Sequence, residues 1–160
     1  MARVQLHDIV TDADREAVLG LQRAPGQERF LGSMESHFED AIADARAMPR
    51  MWSVHDGEQL VGFVMISDNI EVIEPDMLGP YYLWRLLVDA RFQGRGYGAA
   101  TLDAVVEYLR TRPGAEVLLT SCGQGEGSPQ PFYEHYGFVP TGEMKWDEVV
   151  LCLDLHRDRP

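Results

Sequence analysis

Apolar positions recur along the chain with a period that switches between two and about three and a half residues, and each switch falls near a glycine, proline or capping residue. Val4, Leu6, Ile9 and Val10 predict a short first strand. Thr11 then reads as a helix N-cap, with Ala13, Ala17, Val18 and Leu21 following at helical spacing. A second helical region is expected over residues 27–47, its buried side marked by Phe30, Leu31, Met34, Phe38, Ile42 and Ala45, with a break at Gly32-Ser33. Met51, Trp52 and Val54 lead into Asp56-Gly57, a tight hairpin turn, and residues 60–66 return. Residues 81–88 form the strongest strand, apolar on both faces and therefore central. Leu102, Val105, Val106 and Leu109 predict a helix over residues 98–110, stopped by Arg112-Pro113-Gly114. A buried strand over 116–120, a short proline-started helix over 131–136 and a terminal strand over 148–155 complete the pattern. The expected class is mixed α/β (α+β), with a central mixed sheet of six or seven strands flanked by helices.

Composition narrows the function. The 160 residues are 45% hydrophobic and 25% charged, which predicts one globular domain spanning 1–160. There are 26 acidic against 14 basic residues, a net charge of −12. That excludes a general nucleic-acid binder and a polybasic membrane-surface protein. It suits solubility and also a cationic partner. Cys122 and Cys152 make neither a disulfide framework nor a zinc site, and no metal is expected. Charged residues interrupt the first twenty-one positions and no long apolar stretch occurs, so a cytoplasmic protein is expected.

The segment Gln93-Gly94-Arg95-Gly96-Tyr97-Gly98 carries the most chemistry. Glycines between a buried strand and a helix let a ligand lie on bare backbone, where convergent N–H groups and the helix start favour an anion. Arg91 and Arg95 are placed to add charge, so the loop predicts pyrophosphate binding. Gly94, Gly96 and Ala99 also fit a loose dinucleotide pattern, but the loop lies past mid-chain and lacks the acidic residue ending the next strand. Gln93-x-x-Gly96-x-Gly98 after Leu86-Leu87-Val88 resembles the acetyl-coenzyme A motif of the GNAT superfamily of N-acetyltransferases. Residues 131–138, Pro-Phe-Tyr-Glu-His-Tyr-Gly-Phe, resemble that superfamily's late helix and the strand after it. Tyr82-Leu83-Trp84-Arg85, Thr141-Gly142-Glu143 and Asp147-Glu148-Val149-Val150 are similar to bacterial diamine and polyamine (spermine/spermidine) acetyltransferases.

The resemblance implies an acetyl-CoA-dependent N-acetyltransferase acting on a primary amine of a small cationic acceptor, first a diamine or polyamine. It implies that Leu86, Leu87 and Val88 hold the pantetheine arm through their backbone, the Leu87 N–H polarising the thioester carbonyl. Gln93, Gly94, Arg95, Gly96, Tyr97, Gly98 and Ala99 would cradle the phosphates. Tyr133 would face the coenzyme sulfur as general acid, since a phenol stays protonated at neutral pH. Trp84 stands where some polyamine acetyltransferases carry a glutamate base, and the base stays open among Glu148, Glu71, Glu74, Asp76 and a water chain. His135 is expected on the surface, turned away from Tyr133 by helical geometry. Glu28, Glu35 and Glu39, with Glu71, Glu74 and Asp76, are candidates for an acidic acceptor cleft, and Trp52, Tyr82 and Trp84 for cation–π faces. Cys122 is expected as a small buried residue. Superfamily habit suggests a homodimer. The alternatives are another small amine (an aminoglycoside or amino-acid derivative) and a non-catalytic acyl-CoA sensor. Residues 85–112 carry five arginines against Asp89, Asp103 and Glu107, a basic island expected to face the anionic coenzyme.

Overall fold

The computed structural model describes residues 2–158; residues 1, 159 and 160, at the outer ends of the expected domain, lie outside it. Strands β1 (Gln5–Asp8), β2 (Pro49–Asp56), β3 (Gln59–Ser67) and β4 (Tyr82–Val88) form an antiparallel run. β5 (Val117–Cys122) pairs parallel with β4, and β7 (Glu148–Asp154) and β6 (Val139–Lys145) extend the sheet antiparallel in the order β1-β2-β3-β4-β5-β7-β6. The mixed sheet expected from the pattern is thus seven-stranded. β6 is exposed at nearly every position, so it left no alternating pattern to read.

The two faces of the sheet carry different helices. α1 (Asp12–Val18) and α2 (Met34–Ala43) cover one face through Val18, Met34 and Phe38 against Phe63, Met65 and Leu87. α3 (Tyr97–Leu109) and α4 (Gln130–Tyr136) cover the other, where Leu102, Val105 and Tyr133 meet Val54, Val64 and Leu83. Thr11 caps α1 in a reciprocal box with Asp14, as its position before the periodic residues predicts. The expected helix over 27–47 is interrupted. A 3-10 turn at Gln27–Arg29 comes first, Ser33 caps α2, and a second 3-10 turn, Ala45–Ala47, follows. Gly32 and Ser33 supply the break because the Ser33 side chain accepts the Ser36 N–H that a continuous helix would have bonded internally.

The middle of the sheet opens. β4 and β5 pair only at Tyr82↔Leu119 and Leu83↔Thr120, and beyond Leu83 they part. On its other side β4 carries a bulge: Met65 faces Arg85 and Ile66 faces Leu83, leaving Trp84 as the extra residue. Before the bulge, the Tyr81 and Leu83 carbonyls face β5, accepting from Leu119 N at 3.1 Å and Thr120 Oγ1 at 3.0 Å. After it, the Asp89 N–H donates to Val61 O at 2.8 Å, toward β3. Hydrogen-bonding direction alternates along a strand. Leu87 is therefore bonded into the β3 ladder, while Leu86 and Val88 turn their N–H and C=O groups to the open side. Consistent with this, Val88 O accepts from Gln93 Nε2 at 3.1 Å.

Asp89 fixes the end of β4. Its fully buried carboxylate accepts from Gln22 N (2.9 Å) and from Arg91 N, Nε and Nη2 (2.8, 2.9 and 3.0 Å). Arg91 and the backbone donors hold its pKa below the ordinary carboxylate value. An Asp89→Asn variant is expected to lose about 1.5–3 kcal/mol at pH 7, the range for hydrogen bonds to charged groups, measured by chemical denaturation. A depressed folded pKa stabilises above the unfolded value of about 3.9 and is lost as pH falls through the folded value, so the gap to wild type should close in acid.

Candidate active site

The glycine loop and α3 build a trough beside the open edge of β4. Gly94 and Gly96 sit at φ 76° and 85°, left-handed conformations that favour glycine. A Cβ on Gly94 would meet nothing within 4 Å, so the loop is bare to whatever lies over it. Gly96 is the N-cap of α3 and brings no capping side chain, leaving the first-turn N–H groups of this 13-residue helix facing the trough. The trough, about 430 Å³, is lined by Leu86, Val88, Gln93, Gly94, Gly96, Gly98, Ala99 and Tyr133. Unpaired amides, a helix start and exposed strand edge together fit a pyrophosphate joined to an extended amide-bearing arm. Phe132 closes one side, its ring 3.0 Å from where a Gly98 Cβ would stand.

A second cavity of about 600 Å³ continues from the trough through the gap between β4 and β5. Leu86, Gln93 and Tyr133 line both spaces. Pro131 in the first turn of α4 and Gly137 at its end (φ 133°) set a short helix that buries Tyr133 and Tyr136 and leaves His135 exposed. The Tyr133 ring packs against Phe138 at 5.3 Å, and burial pushes its phenol pKa further above its ordinary value. Such a group holds its proton across the neutral range. Opposite it, Tyr82 Oη lies 2.7 Å from Ser121 Oγ, which donates to Glu148 Oε1 at 2.9 Å. Glu148 and Tyr133 therefore share one cavity. Burial also raises the Cys122 thiol pKa, so Cys122 at the same wall stays a thiol rather than a nucleophilic thiolate.

Other expected positions fall elsewhere. The Leu87 N–H is committed to β3, and its side chain lines a different cavity on the α1/α2 face; the open-side donors are Leu86 and Val88. Trp52 is buried under α3, edge-on to Tyr108 at 5.1 Å, and is a core residue because it alternates with Val54 on the covered face of β2. Glu28 and Glu35 border that different cavity with Leu87, and Glu71 and Glu74 are exposed on the loop before β4, outside the site. Tyr97 also lines the trough, with its hydroxyl donating to Asp56. Arg91, Arg85 and Arg112 are paired with Asp89, Asp40 and Asp68, so the basic island reduces at the loop to exposed Arg95, stacked on Phe92 at 5.6 Å. Arg29, Arg85, Glu126 and Glu148 give the larger cavity mixed charge. Ser121 and Arg85 went unrecognised as site residues; a polar residue at the end of an apolar strand was the available signal for Ser121. Among the described residues no group of three or more His, Cys, Asp or Glu side chains is arranged to hold a metal, and no helix is long and apolar enough to cross a membrane.

Comparison with known proteins agrees with this geometry. A spermine/spermidine N(1)-acetyltransferase of Bacillus subtilis is 28% identical over 147 residues, covering 91% of this chain and 95% of that protein. The spermidine N-acetyltransferase of Vibrio cholerae, solved with CoA and spermine, superposes with a TM-score of 0.65 at 14% identity, over 96% of each chain. A GNAT acetyltransferase of Elizabethkingia anophelis with acetyl-CoA bound superposes with a TM-score of 0.62 at 12% identity, over 96% of this chain and 99% of that one. The family model of GNAT acetyltransferases matches residues 15–138, most of the sheet and both site helices, so this chain belongs to the acetyltransferase (GNAT) family and is an acyltransferase.

Proposed function

We propose that the chain moves acetyl from acetyl-CoA directly to a primary amine of a small cationic acceptor, a diamine or polyamine before others. The observation that carries the reading is that Leu86 and Tyr133 line both the trough and the larger cavity. A thioester laid along the open edge of β4 would end where the two spaces join. The named activity of the Bacillus subtilis relative favours a polyamine.

Each residue at the junction has a distinct task. The Leu86 N–H, unspent in the β3 ladder, donates to the thioester carbonyl oxygen as negative charge grows there. Tyr133 donates its phenolic proton to the departing sulfur. Glu148, through Ser121 and Tyr82, offers the hydrogen-bonded route by which the attacking amine loses its proton. Direct attack needs no acyl-enzyme, which agrees with the protonated state of Cys122. Arg29 on the cavity wall favours a second reading, an amine that also bears a carboxylate, such as an amino-acid derivative.

Thiol release from acetyl-CoA across a panel of amines tests this. Turnover with spermidine, spermine or putrescine is expected at KM values of about 1 μM to 1 mM. Their kcat/KM should fall as salt rises, because a field from a net charge of −12 is screened. Preference for amino-acid derivatives would select the second reading. Saturable coenzyme binding without thiol release for any amine would make the chain an acyl-CoA sensor.

A further inference from the structure

We propose that Arg85 is a positioning residue: held by His37 and Asp40 of α2, it fixes the β4 bulge that turns the Leu86 N–H to the cleft. The inference rests on the acetyl-transfer reading for its kinetic consequence but not for its geometry. Three of Arg85's nitrogens are engaged, each to a different group. Nη1 donates to the carbonyl of Trp84, the extra residue of the bulge, at 2.8 Å. Nε donates to His37 Nδ1 at 3.2 Å, and Nη2 to Asp40 Oδ2 at 3.2 Å. His37 and Asp40 stand three residues apart, on one face of α2. The guanidinium thus ties the bulge carbonyl to the helix packed beneath it.

His37 is built for this. It has no exposed surface and stacks on Phe63 at 5.7 Å. Arginine offers only donors, so Nδ1 must accept and the ring proton belongs on Nε2. Nε2 is itself buried with no partner, a cost that a histidine retained only for packing need not carry. Burial, with Arg85 beside it, lowers the ring's pKa to about 4, so it remains an acceptor at neutral pH.

The consequence follows from the parity of the strand. With Trp84 looped out, Leu86 faces the cleft; without that extra residue, the next residues would exchange sides and Leu86 would turn to β3. Loosening the clamp therefore spoils the aim of one backbone donor, while Val88 and the glycine loop still hold the coenzyme.

The test compares Arg85→Gln, Arg85→Lys and Asp40→Ala by steady-state kinetics and by the Leu86 amide resonance as acetyl-CoA is added. For Arg85→Gln, kcat should fall about 30- to 100-fold, most of the effect of losing an oxyanion donor, with KM for acetyl-CoA changed by less than about two-fold. Arg85→Lys should stay impaired, because an ammonium cannot reproduce the planar fork. The Leu86 amide should shift downfield with acetyl-CoA in wild type and not in Arg85→Gln. Unchanged kcat, full rescue by lysine or an equal amide shift in wild type and Arg85→Gln would each overturn the proposal. If Arg85→Gln fails to fold, half-exposed Asp40→Ala decides: reduced kcat at unchanged KM supports the clamp, and wild-type kcat refutes it. If wild type shows the amide shift but acetylates no amine, the acetyl-transfer reading fails and Arg85 is judged on the amide alone.

Discussion

A Tyr133→Phe variant should fold, bind coenzyme A as wild type does, and lose about two to three orders of magnitude in kcat, within the range for general acid catalysis. The ring packs among Phe132 and Phe138, with centroid distances of 5.4 and 5.3 Å, and phenylalanine preserves those contacts. Only the hydroxyl is lost. Burial holds the proton of that hydroxyl firmly, because it destabilises the phenolate. A weaker acid is a poorer donor to a good leaving group, but a thiolate forming in a buried cleft is basic enough to take the proton. Thiol-release kinetics with saturating amine, beside calorimetric coenzyme binding, separates the two effects. A variant that keeps its full kcat would remove Tyr133 from the chemistry.

The second large effect is expected at Leu86. Proline there removes one N–H, and that N–H is not part of the β3–β4 ladder, so no inter-strand bond is lost with it. Proline at Leu87 would break the ladder instead, and serves as the control. Leu86→Pro should lower kcat by about 100- to 1,000-fold, the effect of deleting one oxyanion donor, with a smaller loss of thermal stability than Leu87→Pro. Equal kcat losses that track stability in both variants would mean that strand integrity, not the Leu86 donor, limits the rate.

The difference between Leu86 and Leu87 shows what a linear pattern can and cannot carry. The glycine loop and α3 were legible because their signals are local: glycines before a run of apolar residues at helical spacing. Tyr133 stood out by its place in a motif and Glu148 as a charge interrupting an apolar strand, and both line one cavity. The bulge was not legible. It exists only as a mismatch between β4 and β3, with Arg85 opposite Met65 and Leu83 opposite Ile66, and it shifts the side that each later residue faces. Trp52 misled for a related reason, since an aromatic on a strand serves core or ligand equally well until the covered face is known. Paired arginines are a third case: Arg91 and Asp89 are neighbours in sequence, but Arg85 with Asp40 and Arg112 with Asp68 are joined only by the fold. Much of the arginine charge near the loop is thereby spent before any ligand arrives.

The acetyl group is expected at the junction of trough and cavity, between the Leu86 N–H and the Tyr133 hydroxyl. A crystal structure with a non-transferable ketone analogue of acetyl-CoA tests it most directly. The predicted result is a carbonyl oxygen about 2.7–3.1 Å from Leu86 N, the reach of an oxyanion donor, with the Tyr133 hydroxyl turned to the atom replacing or bearing the sulfur link. A carbonyl bound by another donor, or an acetyl end lying away from Tyr133, would contradict it.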